Sequence, residues 1–520
     1  MLNLRSRRRT WRLLASALTV LLAMTGCATN PVTGKNELAL VSEAQELKIG
    51  AQQYSPSRQM QGGDYIVDPN VARYVQDVGQ KLAEKSDRPL PYEFSVLNSS
   101  VPNAWALPGG KIAINRGLLL EMNTEAELAA VLGHEIVHAA ARHGAKGLER
   151  GLLLQGAVLA SAVASRNSDY SQYAVGAASV AAQLINQKYG RGAELESDEY
   201  GMIYMSRAGY DVQGAVELQK TFVRLSEGRR QDWLSGLFAS HPPSAERVAQ
   251  NAETAQQLPA GGTIGRDAYQ RAMARLRATK PAYDAHDKGR KALSEGKPDE
   301  ALRLAREAIA VEPEEALFYG LMGDVEYARK RYQQAVSHYS EALRRHDAYF
   351  KYYLGRGESY RKLNRMNLAE ADLKASVELL PTADAMAALG QISESQGNLD
   401  QAIAYYESAA SSRSPAGRTS SERLVKLDLP RRPDRYISIR RQIDNQGRVY
   451  IELGNRTSVP VSDVVVVLAY RDSSGRTRQE QRVHRGTIAP GKTGLIALGG
   501  NPYASALDSL QFAVRGARVN

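Results

Sequence analysis

The stretch "VLGHEIVHAAARHG", residues 131–144, sets two histidines four positions apart, with a glutamate directly after the first. On an α-helix, residues i and i+4 differ by about 40° in azimuth, so His134 and His138 can converge on one ion. Imidazole nitrogen suits zinc at about 2.0–2.1 Å. Glu135 lies about 100° round from His134, beside the coordination position such an ion would leave open. A carboxylate there can take a proton from an attacking water and deliver it to a leaving amine. The competing reading is an alanine-rich helix that happens to carry two histidines. A pattern with three fixed positions arises by chance in a chain of this length roughly once in a hundred.

The residues beyond His138 separate the classes of zinc site. A metzincin has a glycine three places further and a third histidine six places further, and here those positions hold Ala141 and Gly144. His143, five places on, faces about 140° away on a continued helix. It reads as an ordinary helix-terminal histidine near the carbonyl end, not as a ligand. A third ligand is then expected as a carboxylate from a later helix. The segment "GRGAELESDEYGMIYMSRAGYD" offers Glu194 and Asp198, again i and i+4 and so on one face, with Glu196 nearly opposite. Asp198 can accept a ring N–H from a ligating histidine and fix its tautomer. The spacing alone leaves open a second reading, an acidic face near a helix N-terminus that the macrodipole favours anyway.

The elements that must position these residues are legible in outline. Thr124 can cap the histidine helix, with Glu127 three places on as in a capping box, and Gly144 is expected to close it. Upstream, "YEFSVLNSSVPNAWALPGGKIAINRGLLL" holds two strand-like runs around "LPGGK", where Pro108, Gly109 and Gly110 supply turn geometry. The alanine-, serine- and glycine-rich segment from Leu152 to Ala182, broken by "SRNSDYSQY", suggests packed helices or a mobile flap and not a membrane span.

A loose stretch, "QQLPAGGTIG", marks a boundary near residue 260. Beyond it Gly289, Gly323, Gly357 and Gly390 recur every 33 or 34 residues, and Ala301, Ala335, Ala369 and Ala402 keep step. That period is the signature of tetratricopeptide repeats, helix-turn-helix units in which small residues let helices approach closely. About four repeats are expected, forming either a concave groove for a peptide or partner protein or a plain spacer. After "SSRSPAGRTSSERLVKLDLPRRPDR" the pattern alternates. "YISIRRQ", "RVYIELGN", "VVVVLAY", "QEQRVHRG", "TGLIALG" and "LQFAVRG", separated by "DNQG", "DSSG" and "APGK", read as a small β-sandwich without a cluster of titratable residues.

The bulk properties of the 520 residues agree. Hydrophobic content of 43% and charged content of 24% fit packed domains and exclude a disordered or multi-span membrane chain. The net charge of +11 includes five arginines in the first 26 residues, which contain no acid. The rest has no basic stripe interleaved with aromatics, so nucleic acid is not an expected partner. The N-terminus has a basic segment, an apolar run from Leu13 to Met24 and then small residues, the pattern of a secretory signal peptide. "LLAMTGC" resembles a bacterial lipobox, with Met24 in place of the usual leucine. Cys27, the only cysteine, is then the expected lipidation site, against the plainer reading of a buried thiol. Ala28 after it favours the outer membrane, by resemblance to Gram-negative lipoproteins.

"HEIVH", then "ELESDEYG" and "AGYD", with "NAWALPGG" upstream and "SHPPSAER" downstream, resembles the gluzincin metalloproteases typified by HtpX, BepA and the CAAX prenyl proteases. The start "NPVTGKNELALVSEAQELKIGAQ" is similar to their bacterial lipoprotein branch, which includes proteins with tetratricopeptide repeats. The resemblance covers roughly residues 30 to 255; the C-terminal β-domain departs from it. It implies one Zn2+ per chain on His134, His138 and Glu194, with Glu135 as general base and Asp198 holding a ligating histidine from behind. It implies that Asn103 to Gly110 forms a strand edging the substrate cleft, with Asn103 and Arg247 as candidate cleft residues. His241 matches a histidine able to approach the zinc and hold the enzyme latent; the alternative is a loop residue stiffened by Pro242 and Pro243.

The expected architecture is multidomain and mainly α. It comprises a signal peptide (1–26), an α+β gluzincin-type metalloprotease domain (27–262), an α-solenoid of repeats (282–411) and a β-sandwich (430–520). The expected function is a lipid-anchored zinc endopeptidase on the periplasmic face of a Gram-negative outer membrane. It would degrade misfolded or stalled envelope proteins, with the repeats recruiting clients or outer-membrane assembly machinery. The alternative is a chaperone or scaffold for outer-membrane protein assembly with little proteolysis.

Overall fold

A computed structural model of the chain describes residues 27–155, 184, 188–228, 240–472, 474–499 and 509–519. The expected signal peptide and most of the alanine-rich segment lie outside the described residues. Two compact units divide the chain, one holding the N-terminal part through Arg365, the other Met366–Val377 and Pro381 onward.

The first unit opens with a two-stranded ribbon, β1 (Cys27–Thr29) and β2 (Asn36–Leu38), followed by helices α1 (Glu43–Met60) and α2 (Pro69–Ala83). Each helix starts on a side-chain cap, Ser42 with a reciprocal Gln45 for α1 and Asp68 before Pro69 for α2. Strands β3 (Glu93–Leu97), β4 (Ala104–Leu107) and β5 (Lys111–Asn115) form a sheet in the order β3-β5-β4. β3 runs parallel to β5, and β4 and β5 form the expected antiparallel hairpin. Gly109 and Gly110 turn it at φ of 81° and 83°, a left-handed conformation that glycine adopts without steric cost.

Behind the sheet lies α3 (Glu125–Ala140), nearly every residue of which is buried. Thr124 caps it by accepting from the Glu127 N–H at 3.1 Å, but the Glu127 carboxylate takes the Asn123 N–H, so the capping box is only half formed. The helix does not run to Gly144. It stops at Ala140 because Arg142 adopts φ of 64°, and α4 (His143–Gln155) begins at once. Arg142 is held in that turn by Glu46 and the Val41 carbonyl. Helix α5 (Arg191–Arg207) crosses α3 where two glycines meet: a Cβ on Gly133 or Gly201 would sit 3.0 Å from backbone of the other helix. Helices α6 (Gln213–Gly228) and α7 (Ala245–Gln257) complete the peptidase part.

The repeats begin with paired helices: α8 (Lys280–Ser294), α9 (Pro298–Val311), α10 (Ala316–Ala328), α11 (Tyr332–Arg345) and α12 (Phe350–Lys362). Their small residues act as the period implied. Ala301 and Ala335 are fully buried, and a Cβ on Gly323 would lie 2.6 Å from the Tyr339 ring. These repeats are locked to the peptidase part. Buried Glu315 accepts from Asn98 at 3.0 Å and from the Tyr283 hydroxyl at 2.6 Å, and Gln59 bonds Ala348 and Phe350.

The second unit continues with α13 (Met366–Leu379), α14 (Ala383–Ser395), α15 (Leu399–Ala410) and α16 (Pro415–Asp428). Two antiparallel three-stranded sheets come next. One has the order β10-β7-β6, from Thr493–Gly499, Val449–Asn455 and Ile437–Ile443; the other has β11-β8-β9, from Gln511–Val519, Val461–Arg471 and Thr477–His484. Their inward residues, Ile451 and Leu453 from one and Val464, Val466 and Leu468 from the other, share a core. The alternating pattern thus gives a sandwich. Among the described residues no helix is long and apolar enough to cross a membrane.

Candidate metal centre

α3 and α5 bring the predicted side chains together, and the loop before α7 adds one more. His134, His138, Glu194 and His241 each offer a donor atom, and all four residues are buried. The Nε2 atoms of His134 and His138 lie 3.0 Å apart, and His134 Nε2 is 3.3 Å from His241 Nδ1. Glu194 Oε1 lies 3.0 Å from His241 Nδ1 and 3.5 Å from His138 Nε2, and its Oε2 lies 3.5 Å from His134 Nε2. Four donors at about 2.0–2.1 Å around a tetrahedral ion stand about 3.3–3.4 Å from one another. The spacings among these donors, 3.0 to 3.5 Å, lie close to those values. The donor set fits a divalent metal.

Supporting contacts fix the ligands. His134 turns its Nδ1 to Asp198 Oδ1 at 2.9 Å, and Arg247 grips both Asp198 oxygens at 2.7 Å. Burial opposes ionisation of Asp198, but the Arg247 contacts outweigh it and hold the carboxyl below its usual range. Glu194 behaves alike: burial pushes it up, yet His241, His138 and His134 pull it well down. Arg247 also lies 3.0 Å from Glu194, so this predicted cleft residue faces the cluster.

Glu135 stands apart. It is 2% exposed, its Oε1 lies 3.6 Å from His241 Nε2, and its Oε2 has no hydrogen-bond partner among the described residues. Burial raises its pKa, as suits a base that must hold a proton. A recess of about 30 Å3 opens beside it, lined by Met202, Leu218, Gln219 and Phe222. Asn103 is buried immediately before β4 with its side-chain oxygen unpartnered among the described residues.

Two contributors escaped the sequence reading. The Tyr189 ring stacks on His138 at 4.0 Å between centroids; only its place just before the helix of Glu194 hinted at this. His143 does not face away. The break after Ala140 makes the azimuth of a continued helix inapplicable, and His143 folds back to place its Nδ1 2.9 Å from that of His138.

A histidine pair and its glutamate on one helix, a carboxylate ligand from the next and an unpartnered glutamate beside them define the class of zinc metalloendopeptidases. Residues 69–255 match peptidase family M48, and residues 286–350 and 354–417 match tetratricopeptide repeats. The chain thus holds a peptidase M48 domain followed in sequence by tetratricopeptide repeats. It is similar to the beta-barrel assembly-enhancing protease of Escherichia coli, with 24% identity over 74% of this chain and 87% of the relative. A Vibrio cholerae relative described in near-identical terms is 30% identical over 42% of this chain and 46% of its own length, so the match spans less than half of that protein. The metalloprotease YcaL of Escherichia coli is 34% identical over 30% of this chain and 60% of the relative.

Proposed function

We propose that the chain is a zinc-dependent endopeptidase of the bacterial cell envelope that cleaves misfolded or stalled envelope proteins. The observation that carries this reading is the convergence of His134, His138, Glu194 and His241, whose donor atoms all lie within 4.8 Å of one another, beside the unpartnered Oε2 of Glu135. His134, His138 and Glu194 would hold one zinc, which when bound supplies Lewis acidity that polarises the scissile carbonyl and acidifies water. Glu135 takes the proton from the attacking water on its free Oε2 and hands it to the leaving nitrogen. Asp198, clamped by Arg247, keeps the His134 proton on Nδ1 and its lone pair turned inward. Asn103 and β4 would edge the cleft, where an extended substrate backbone can add by strand pairing.

Lipidation of Cys27 would anchor the chain to the periplasmic face of the outer membrane of a Gram-negative bacterium. The repeats would recruit clients, with outer-membrane assembly machinery as a candidate partner. This partner is suggested by the name of the Escherichia coli relative, which speaks of that protein. The experiment is to measure zinc in the purified chain and cleavage of an unfolded protein. About one zinc per chain and slow cleavage are expected. Glu135→Gln should retain the zinc and lose at least about a hundredfold in rate. A well-folded chain that binds no zinc would sink the reading.

One observation favours a second reading, a chaperone or scaffold with little proteolysis: His241 Nδ1 lies 3.3 Å from His134 Nε2 and 3.0 Å from Glu194 Oε1, close enough to serve as a fourth ligand. His241 then acts as a latch, and His241→Ala should cleave faster than the parent chain. Equal or slower cleavage counts against the latch.

A further inference from the structure

The two helical histidines are held from behind by different chemistry. His134 leans on a carboxylate clamped by arginine, whereas the outer nitrogen of His138 meets another imidazole, His143 Nδ1, at 2.9 Å. Two ring nitrogens at that distance share one proton. With Nε2 of His138 turned to the cluster, its proton sits on Nδ1, so His143 Nδ1 must accept. The proton of His143 is then on Nε2, which lies 3.3 Å from Glu196 Oε1. Glu196 Oε1 also accepts from Asn30 Nδ2 at 3.2 Å. Asn30 is 1% exposed and directly succeeds β1, and its own Oδ1 accepts from Val32 N–H at 2.9 Å. One assignment of protons satisfies every member of the series.

We propose that His143 is a positioning residue for His138, fixing its tautomer and ring plane, with Glu196 and Asn30 as successive supports. The series makes the N-terminal ribbon of β1 and β2 the outermost member of the metal centre, so that metal retention depends on how that ribbon is seated. The proposal rests on the reading of His134, His138 and Glu194 as metal ligands.

The test uses the purified chain and two readouts besides turnover: zinc affinity by competition with a chromophoric chelator, and the visible absorption of the cobalt(II)-loaded protein. His143→Ala should weaken zinc binding about 10- to 100-fold and alter the cobalt spectrum. His143→Gln should recover most of the affinity, because its Oε1 can accept from His138 while its amide donates to Glu196. Asn30→Ala should weaken binding in the same direction by less. Wild-type affinity and an unchanged spectrum in His143→Ala, whatever its melting temperature, would reduce His143 to a packing residue and overturn the proposal. Should His143→Ala fail to fold, Glu196→Ala decides on the same readouts, since its side chain is 21% exposed and tolerates truncation. Weakened binding supports the series, and unchanged binding overturns it. A parent chain that binds no zinc overturns the ligand reading itself, an outcome distinct from equal binding by parent and variant.

Discussion

The metal centre and the core of the C-terminal sandwich are both buried, yet they bury opposite kinds of atom. In the centre His134, Glu135, His138, Glu194, Asp198, His241 and Arg247 are all at most 8% exposed. In the sandwich the corresponding positions are Val449, Ile451, Leu453, Val464, Val466 and Leu468, all at 0%. Desolvating ionisable groups costs several kcal/mol each unless partners compensate, whereas apolar burial is favourable by itself. A protein places so many charges in its interior where chemistry needs them. On the proposed function, the first region should draw part of its stability from a bound cation, and the second should not.

Chelation is the largest way to break this contrast. A metal bound only by the native state at a thousandfold excess over its dissociation constant contributes about 4 kcal/mol. Removing it should lower the unfolding transition that contains the peptidase part and leave that of the sandwich in place. Tryptophan fluorescence separates the two, because the sandwich sequence has no tryptophan while buried Trp105 lies in β4. A single transition displaced as a whole would show that the regions do not differ in this way.

The converse perturbation is Leu468→Ala. Truncating a fully buried leucine costs about 2–5 kcal/mol. Calorimetry should show the sandwich transition lowered, with zinc content and tryptophan signal unchanged. Loss of zinc in this variant would contradict independent stabilisation.

The difference between the regions also explains what the sequence revealed. Periodic features were legible: the i, i+4 pairs on α3 and α5, the 34-residue repeat and the alternation of the β-strands all arise from fixed geometry within one element. Features made by a break in an element were not. The left-handed Arg142 returned His143 to the cluster, and nothing in "AARHG" announces that a non-glycine will adopt that conformation. The contribution of Tyr189 likewise depends on how a loop lies across α3. The role of His241 came from resemblance, since its approach to Glu194 spans 47 residues and is set by tertiary packing alone.

The smallest expected effect concerns acid. His338 and His346 lie in the first unit, and burial lowers the pKa of both below the ordinary value, against the opposing pull of Glu326 for His338 and of Glu315 for His346. As pH falls through about 6.5, the unfolded chain takes up these protons first. In that window the unfolded state binds more protons than the folded state, so stability decreases with falling pH until the lower folded values are reached. The stabilisation is fully present above about 6.5 and is lost below it. His484, the one histidine of the sandwich, is partly exposed at the end of β9. Other ionisable groups contribute to the acid response, so the decisive quantity is a difference: melting temperature against pH for the parent chain and for His346→Gln, both metal-loaded. The variant should show the shallower decline of the peptidase transition on acidification, while the sandwich transitions of the two proteins superimpose. An equal or steeper decline in His346→Gln would mean that His346 is not held neutral by its burial and would remove the acid arm of the contrast.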